Sequence, residues 1–80
     1  MGERNFSLGQ YRVGTSFNPS NNPVVDDIKA KAAALIDAID RIQIYSDPPD
    51  AVARLKAVAM TEVESAAMWA VKAATKGDWT

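Results

Sequence analysis

Tyr45-Ser46-Asp47-Pro48-Pro49-Asp50 divides the chain and decides its fold. Adjacent prolines lack the N–H that a helix needs and crowd the turn before them, so no helix runs through this segment. Upstream, Val25, Ile28, Ala32, Leu35, Ile39 and Ile42 recur at spacings of three and four, an unbroken heptad seam. Ala30, Ala33, Ala34 and Ala38 flank it and would let another helix come close. This predicts a first helix from about Pro23 to about Ile42. Downstream, Asp47 is a plausible N-cap, Pro48 suits the first helical position and Asp50 faces the helix dipole. The second helix is predicted from about Pro48 to about Thr75. Val52, Leu55, Ala59, Ala66, Trp69 and Ala73 form one seam on it, interrupted by Glu62. Met60, Val63, Ala67, Val71 and Ala74 form another. Gly77 suits a left-handed C-cap, with Trp79 folding back onto the last turn.

A short loop between long helices makes them antiparallel neighbours. Two seams on one helix present more apolar surface than a single partner helix covers. The expected fold is all-α: an antiparallel two-helix hairpin over residues 22–76, a non-helical N-terminal arm over 1–21 and a C-terminal tail over 77–80. Such a hairpin encloses no core of its own. It is expected to assemble as a compact homo-oligomer through the second seam, the alanine face and the aromatics.

The arm is read as non-helical because Gly2, Gly9, Gly14, Pro19 and an Asn/Ser cluster resist a helix. Tyr11-Arg12-Val13 would then lie extended. At its end Asn22 is an N-cap candidate, and Pro23 falls where its missing N–H costs nothing. Asp26 and Asp27 sit in the early turns, where negative charge suits the dipole.

Composition narrows the function. Eighty residues make one small domain. There is no cysteine, so disulfides and thiolate metal sites are excluded. There is no histidine, which removes the commonest general base and metal ligand. Catalysis is not expected, although carboxylate-only chemistry stays open, and no cofactor is implied. Nine basic and ten acidic residues give a net charge of −1, without the basic surplus of a nucleic-acid polymer binder. No apolar run approaches the ~18 residues of a membrane span. Met1-Gly2-Glu3-Arg4-Asn5-Phe6 lacks a signal-peptide apolar core, so a cytosolic protein is expected.

The arm and the helix after it carry the side chains that could hold a flat anionic ligand. Tyr11 offers an aromatic face to a base, or else packs on the hairpin or a neighbour. Lys29, on the border between the seam and the alanine face, offers a point charge to a phosphate, or else is a solvated lysine paired with Asp26 or nearby acids. Arg12 would support the phosphates or cover a base. Phe17 is read as pinning the arm to the helices, and Asn18-Pro19-Ser20-Asn21-Asn22 as a turn whose N–H groups face an anion or simply close the turn. Met68 and Trp69 read as interface core rather than a cofactor wall. Asp26 and Asp27 read as dipole complement rather than metal ligands. Glu64 is expected to be solvated, and Glu62 to meet a cation across an interface.

The blocks Tyr11-Arg12-Val13-Gly14, Phe17-Asn18-Pro19-Ser20, Ile28-Lys29, Leu35-Ile36-Asp37, Ala53-Arg54 and Ala66-Ala67-Met68-Trp69-Ala70-Val71-Lys72-Ala73-Ala74-Thr75 resemble, in order and spacing, the phage anti-CBASS cyclic-oligonucleotide sponges. Their hairpin domain is shared with the phage anti-Thoeris sponges. The resemblance implies a helical hairpin assembled as a hexamer that sequesters cyclic dinucleotides without cleaving them. It also implies action in the cytoplasm of an infected bacterial host. In that family a tyrosine of the arm and a lysine of the first helix hold the cyclic dinucleotide, and the matching positions are Tyr11 and Lys29. A separate pocket for cyclic trinucleotides, at a three-fold junction of chains, matches Lys31 and Lys72. A cyclic dinucleotide has approximate two-fold symmetry, and a two-fold interface presents each side chain twice. The competing reading is a helical oligomeric adaptor without a small-molecule ligand, and a third is a nucleotide hydrolase.

Overall fold

Asn22 starts the first long helix as its residue type predicts. In the computed structural model, which describes residues 6–19, 21–44 and 49–76, its side-chain oxygen accepts from the Val24 N–H at 2.9 Å. Pro23 occupies the first turn of a helix spanning Pro23–Asp40, here α2, with Asp26 facing its dipole. Another long helix, α3, spans Pro49–Thr75. Both match the expected elements to within two residues at each end. The expected roles of Asp47 and Pro48, Gly77 as a C-cap and Trp79 folding back all fall outside the described residues, as do Gly2, Ser20 and residues 77–80.

The two long helices are antiparallel. Near the α2 C-terminus the Asp40 and Ile42 carbonyls accept from Lys56 Nζ, on an early turn of α3, at 2.9 and 2.8 Å. At the other end Lys29 shares a cleft with Ala67, Met68 and Val71 of α3. No described helix is long and apolar enough to cross a membrane.

The arm is where expectation fails. It is not non-helical: Leu8–Val13 form a helix, α1. Ser7 caps it by accepting from the Gln10 N–H at 3.1 Å, while the Gln10 side chain accepts from the Ser7 N–H at 2.8 Å. This reciprocal capping box satisfies two donors that a short helix would otherwise leave open. Gly14 ends the helix in the left-handed region at φ 75°, its N–H bonded to the Gln10 carbonyl at 2.9 Å. Gly9, read as a breaker, is instead a contact point. It is buried against α2, and a Cβ there would stand 2.0 Å from the Ala33 carbonyl oxygen. Tyr11-Arg12-Val13 are therefore helical, not extended.

The helix-one seam is also displaced. The buried positions of α2 are Val25, Lys29, Ala33 and Ile36, with Ile36 and Val25 the largest fully buried side chains described. Beyond Val25 the expected seam sits one residue earlier, about 100° round the helix. Leu35 and Ile42 are exposed at 51% and 49%. Periodicity sees only apolar residues. It cannot see that α1 packs on α2 through glycine and alanine, nor that a lysine enters the buried stripe. On α3 the second seam turns inward: Ala67 is buried and Met60, Val63, Val71 and Ala74 are partly covered. Most of the first seam faces out, with Leu55 68% and Trp69 59% exposed, while Val52 and Ala59 are partly covered.

Candidate functional site

The capping box and Gly14 frame α1, which packs along α2 and brings Arg12 and Val13 to the cleft beside α3. On α3, Thr61, Glu64, Ser65, Met68 and Val71 follow spacings of three and four and share one face. Lys29 of α2 closes the third side. These residues and Ala67 line a cleft of about 510 Å³, within the ~300–1,000 Å³ range of small-molecule sites. Its wall is mainly apolar, with two cations, one carboxylate and two hydroxyls converging on it. A second hollow of about 330 Å³ between α1 and α2 is lined by Gln10, Thr15, Ala30, Ala33, Ala34 and the carboxylates Asp26 and Asp37. Charge separates the two: the first suits an anion and the second repels one.

Lys29 is 8% exposed, so it is not a solvated lysine paired with Asp26. Its Nζ donates to the Gly14 carbonyl at 3.0 Å and to the Phe17 carbonyl, and lies 5.4 Å from the centroid of the Phe17 ring. Burying an ammonium is costly unless its donors are met, and the arm's turn supplies two carbonyls to meet them. Asp26 accepts instead from the Asn18 side-chain amide at 2.9 Å. The same amide donates to the Asn22 carbonyl at 2.8 Å, so the Asn-rich turn is closed by its own bonds. Asn21 takes the left-handed region there, at φ 56°. Phe17 departs from expectation: its carbonyl pins the arm, while its ring is 70% exposed.

Arg12 Nη2 donates to Glu64 Oε1 at 2.8 Å and joins α1 to α3. Glu64 is therefore not simply solvated, as sequence reading expects. Glu62 is exposed. The Tyr11 ring does not line the cleft; it lies on the outer side of α1, stacked on Phe6 with centroids 6.0 Å apart and planes 5° from parallel. Lys31 pairs with Asp27 one turn earlier, at 2.6 and 2.8 Å, on the exposed face of α2. Lys72 places Nζ 5.4 Å from the Trp69 ring centroid, a cation–π contact at the end of α3. Of the five expected site residues the structure thus brings Arg12 and Lys29 into one cleft and sets Tyr11, Lys31 and Lys72 outside it. Met68 lines the cleft, and Trp69 lies outside it.

Sequence reading missed Thr61, Ser65 and the role of Glu64. It also missed Asp37, which accepts from the Gly9 N–H at 2.7 Å. Donation from the Ser7 hydroxyl and from Gly9, with the Arg41 charge nearby, holds the Asp37 carboxyl below its ordinary range. Among the described residues no group of three or more carboxylates is placed to hold a metal ion.

Residues 10–75 match the family model described as Acb2/Tad1, hairpin domain. Searches of curated proteins and of solved structures returned no match. The matched span holds the Gly14 turn, both long helices and every residue lining the cleft, and it bears out the resemblance read over Tyr11 to Thr75. The chain belongs to the Acb2/Tad1 hairpin-domain family, the anti-CBASS and anti-Thoeris sponges, which sequester cyclic nucleotides.

Proposed function

We propose that this chain binds and sequesters cyclic dinucleotide messengers without cleaving them, and so blocks bacterial anti-phage signalling in the cytoplasm of an infected host. One observation carries the reading: within a sponge-family hairpin, Arg12 and Lys29 converge with the Thr61 and Ser65 hydroxyls on one cleft. A phosphate entering the cleft meets the Arg12 guanidinium and the remaining N–H of Lys29, whose other donors keep the arm's turn in place. Tyr11, on the outer face of α1, stacks a base from a ligand shared between two protomers. Each stack contributes about 1–3 kcal/mol. Two protomers supply each contact twice, matching the symmetry of the ligand. The protomers assemble as a hexamer, with Lys31 and Lys72 lining a second pocket for cyclic trinucleotides.

The exposed Leu55 and Trp69 on the outward seam give the adaptor reading its one specific support. A thermal-shift and calorimetric panel of cyclic di- and trinucleotides separates the two. Saturable binding, with intact ligand recovered by mass spectrometry after denaturation, supports the sponge. No response to any member of the panel supports the adaptor, and recovery of opened ligand supports a hydrolase.

A further inference from the structure

The Glu64 carboxylate sits inside a cleft read above as a phosphate site, which is the wrong charge for simple anion capture. It is not a peripheral group. It lines the cleft beside Thr61 and Ser65, holds Arg12 at 2.8 Å, and its side chain is only 34% exposed against 23% for Arg12. Two cations, Arg12 and Lys29, less one carboxylate leave a single net positive charge in the cleft of each chain. We infer that Glu64 makes the cleft select phosphodiesters over terminal phosphate monoesters.

A phosphodiester carries one negative charge and neutralises the cleft. A terminal monoester carries about −1.5 to −2 at neutral pH, so repulsion from Glu64 weakens its binding more than that of a diester. The repulsion is felt because the cleft is partly withdrawn from water, where charges are screened less than on the open surface. Glu64 need not leave to admit a diester. It takes one of the five guanidinium N–H donors and orients the rest, so Arg12 remains able to bond the ligand. One carboxylate thus positions the attracting cation and repels the wrong ligand, the pairing of attraction and repulsion on which specificity depends. The ligands refused are the linear dinucleotide left when one bond of the ring is hydrolysed, and free mono- and triphosphates. A sponge that refuses them is not filled by spent messenger or by the cell's nucleotide pool.

The inference rests on the cyclic-dinucleotide reading, and its test separates the two. Three probes are titrated by calorimetry into wild type and Glu64→Gln: a cyclic dinucleotide, its linear 5′-phosphorylated product, and the dinucleoside monophosphate of the same bases, which is open but lacks the monoester. Glu64→Gln keeps the size of the side chain and an oxygen for Arg12. It is expected to narrow the preference for the cyclic over the 5′-phosphorylated ligand by about tenfold, while the ratio of cyclic ligand, with two diesters, to dinucleoside monophosphate, with one, does not narrow. An unchanged first ratio, or a narrowing of both ratios, overturns the role of Glu64 while leaving the sponge reading standing. Wild type that binds no cyclic dinucleotide overturns both.

Discussion

Gly9 and Asp37 clamp the short helix to the hairpin. The Gly9 N–H donates to Asp37 Oδ1 at 2.7 Å, and a Cβ on Gly9 would stand 2.0 Å from the Ala33 carbonyl oxygen. That oxygen belongs to helical backbone and cannot swing aside. Gly9→Ala therefore lifts α1 from α2 and breaks the Asp37 bond, at a cost of about 1–3 kcal/mol. Amide exchange should speed up across residues 8–14 and leave α3 protected. Wild-type protection in α1 would show that the close approach does not constrain it.

The same clamp makes the arm sensitive to acid. Asp37 has an ordinary carboxyl pKa of 3.8, lowered in the folded chain by the Ser7 hydroxyl and then the Gly9 N–H, against an opposing effect of burial, with the Arg41 charge lowering it further. A folded value below the unfolded one means the carboxylate stabilises the fold fully above pH ~4 and loses that contribution as the pH falls through the depressed value. Following the Gly9 amide resonance from pH 7 to pH 2 should show α1 releasing in the acid range, below the ordinary carboxyl midpoint. In Asp37→Asn the same resonance should already be perturbed at neutral pH and lack that transition. A wild-type resonance constant down to pH 2 would remove Asp37 from the clamp.

Much of this was legible in the chain. Asn22-Pro23 and the Pro48-Pro49 break act through local backbone chemistry, which needs no knowledge of the rest of the fold. The α1 helix was legible too, since Ser7 and Gln10 stand at capping-box spacing and Gly14 follows the last turn, but Gly9 and Gly14 were read only as breakers. The register of α2 was not legible. Ala30, Ala32, Ala33, Ala34 and Ala38 put small apolar residues all round the helix, so the buried stripe is chosen by where α1 and α3 land. Nor was the partner of Glu64, which lies 52 residues away in Arg12 and is reached only through tertiary packing.

Lys29 and Tyr11 differ in what their loss costs the fold. Lys29→Ala leaves the Gly14 and Phe17 carbonyls without their ammonium, a loss of about 1–3 kcal/mol. Weaker ligand binding in that variant mixes the site with the arm. Tyr11 is 56% exposed and stacked on Phe6, so Tyr11→Ala is expected to change stability by about 0.5 kcal/mol or less. It should still lose about 1–3 kcal/mol of affinity for each base stacked. A denaturant midpoint and a calorimetric titration on the same preparation check both parts. Unchanged affinity for cyclic dinucleotides in Tyr11→Ala would take the ring out of the site.

The outward seam of α3 is the last feature that requires an occupant. Leu55 at 68% and Trp69 at 59% exposure are large apolar side chains on the one outward seam. Leu55 is mostly exposed and the Trp69 ring meets Lys72 of its own helix, so charges placed there should spare the hairpin. Leu55→Asp combined with Trp69→Glu is expected to keep the helical circular dichroism while converting a sedimenting oligomer to the 8.6 kDa chain. If ligand capture needs side chains from two protomers, cyclic-dinucleotide affinity falls in parallel with assembly. A double variant that still assembles would place the association surface elsewhere, and a wild-type protein that sediments as a monomer at micromolar concentration would leave the outward seam to a different partner.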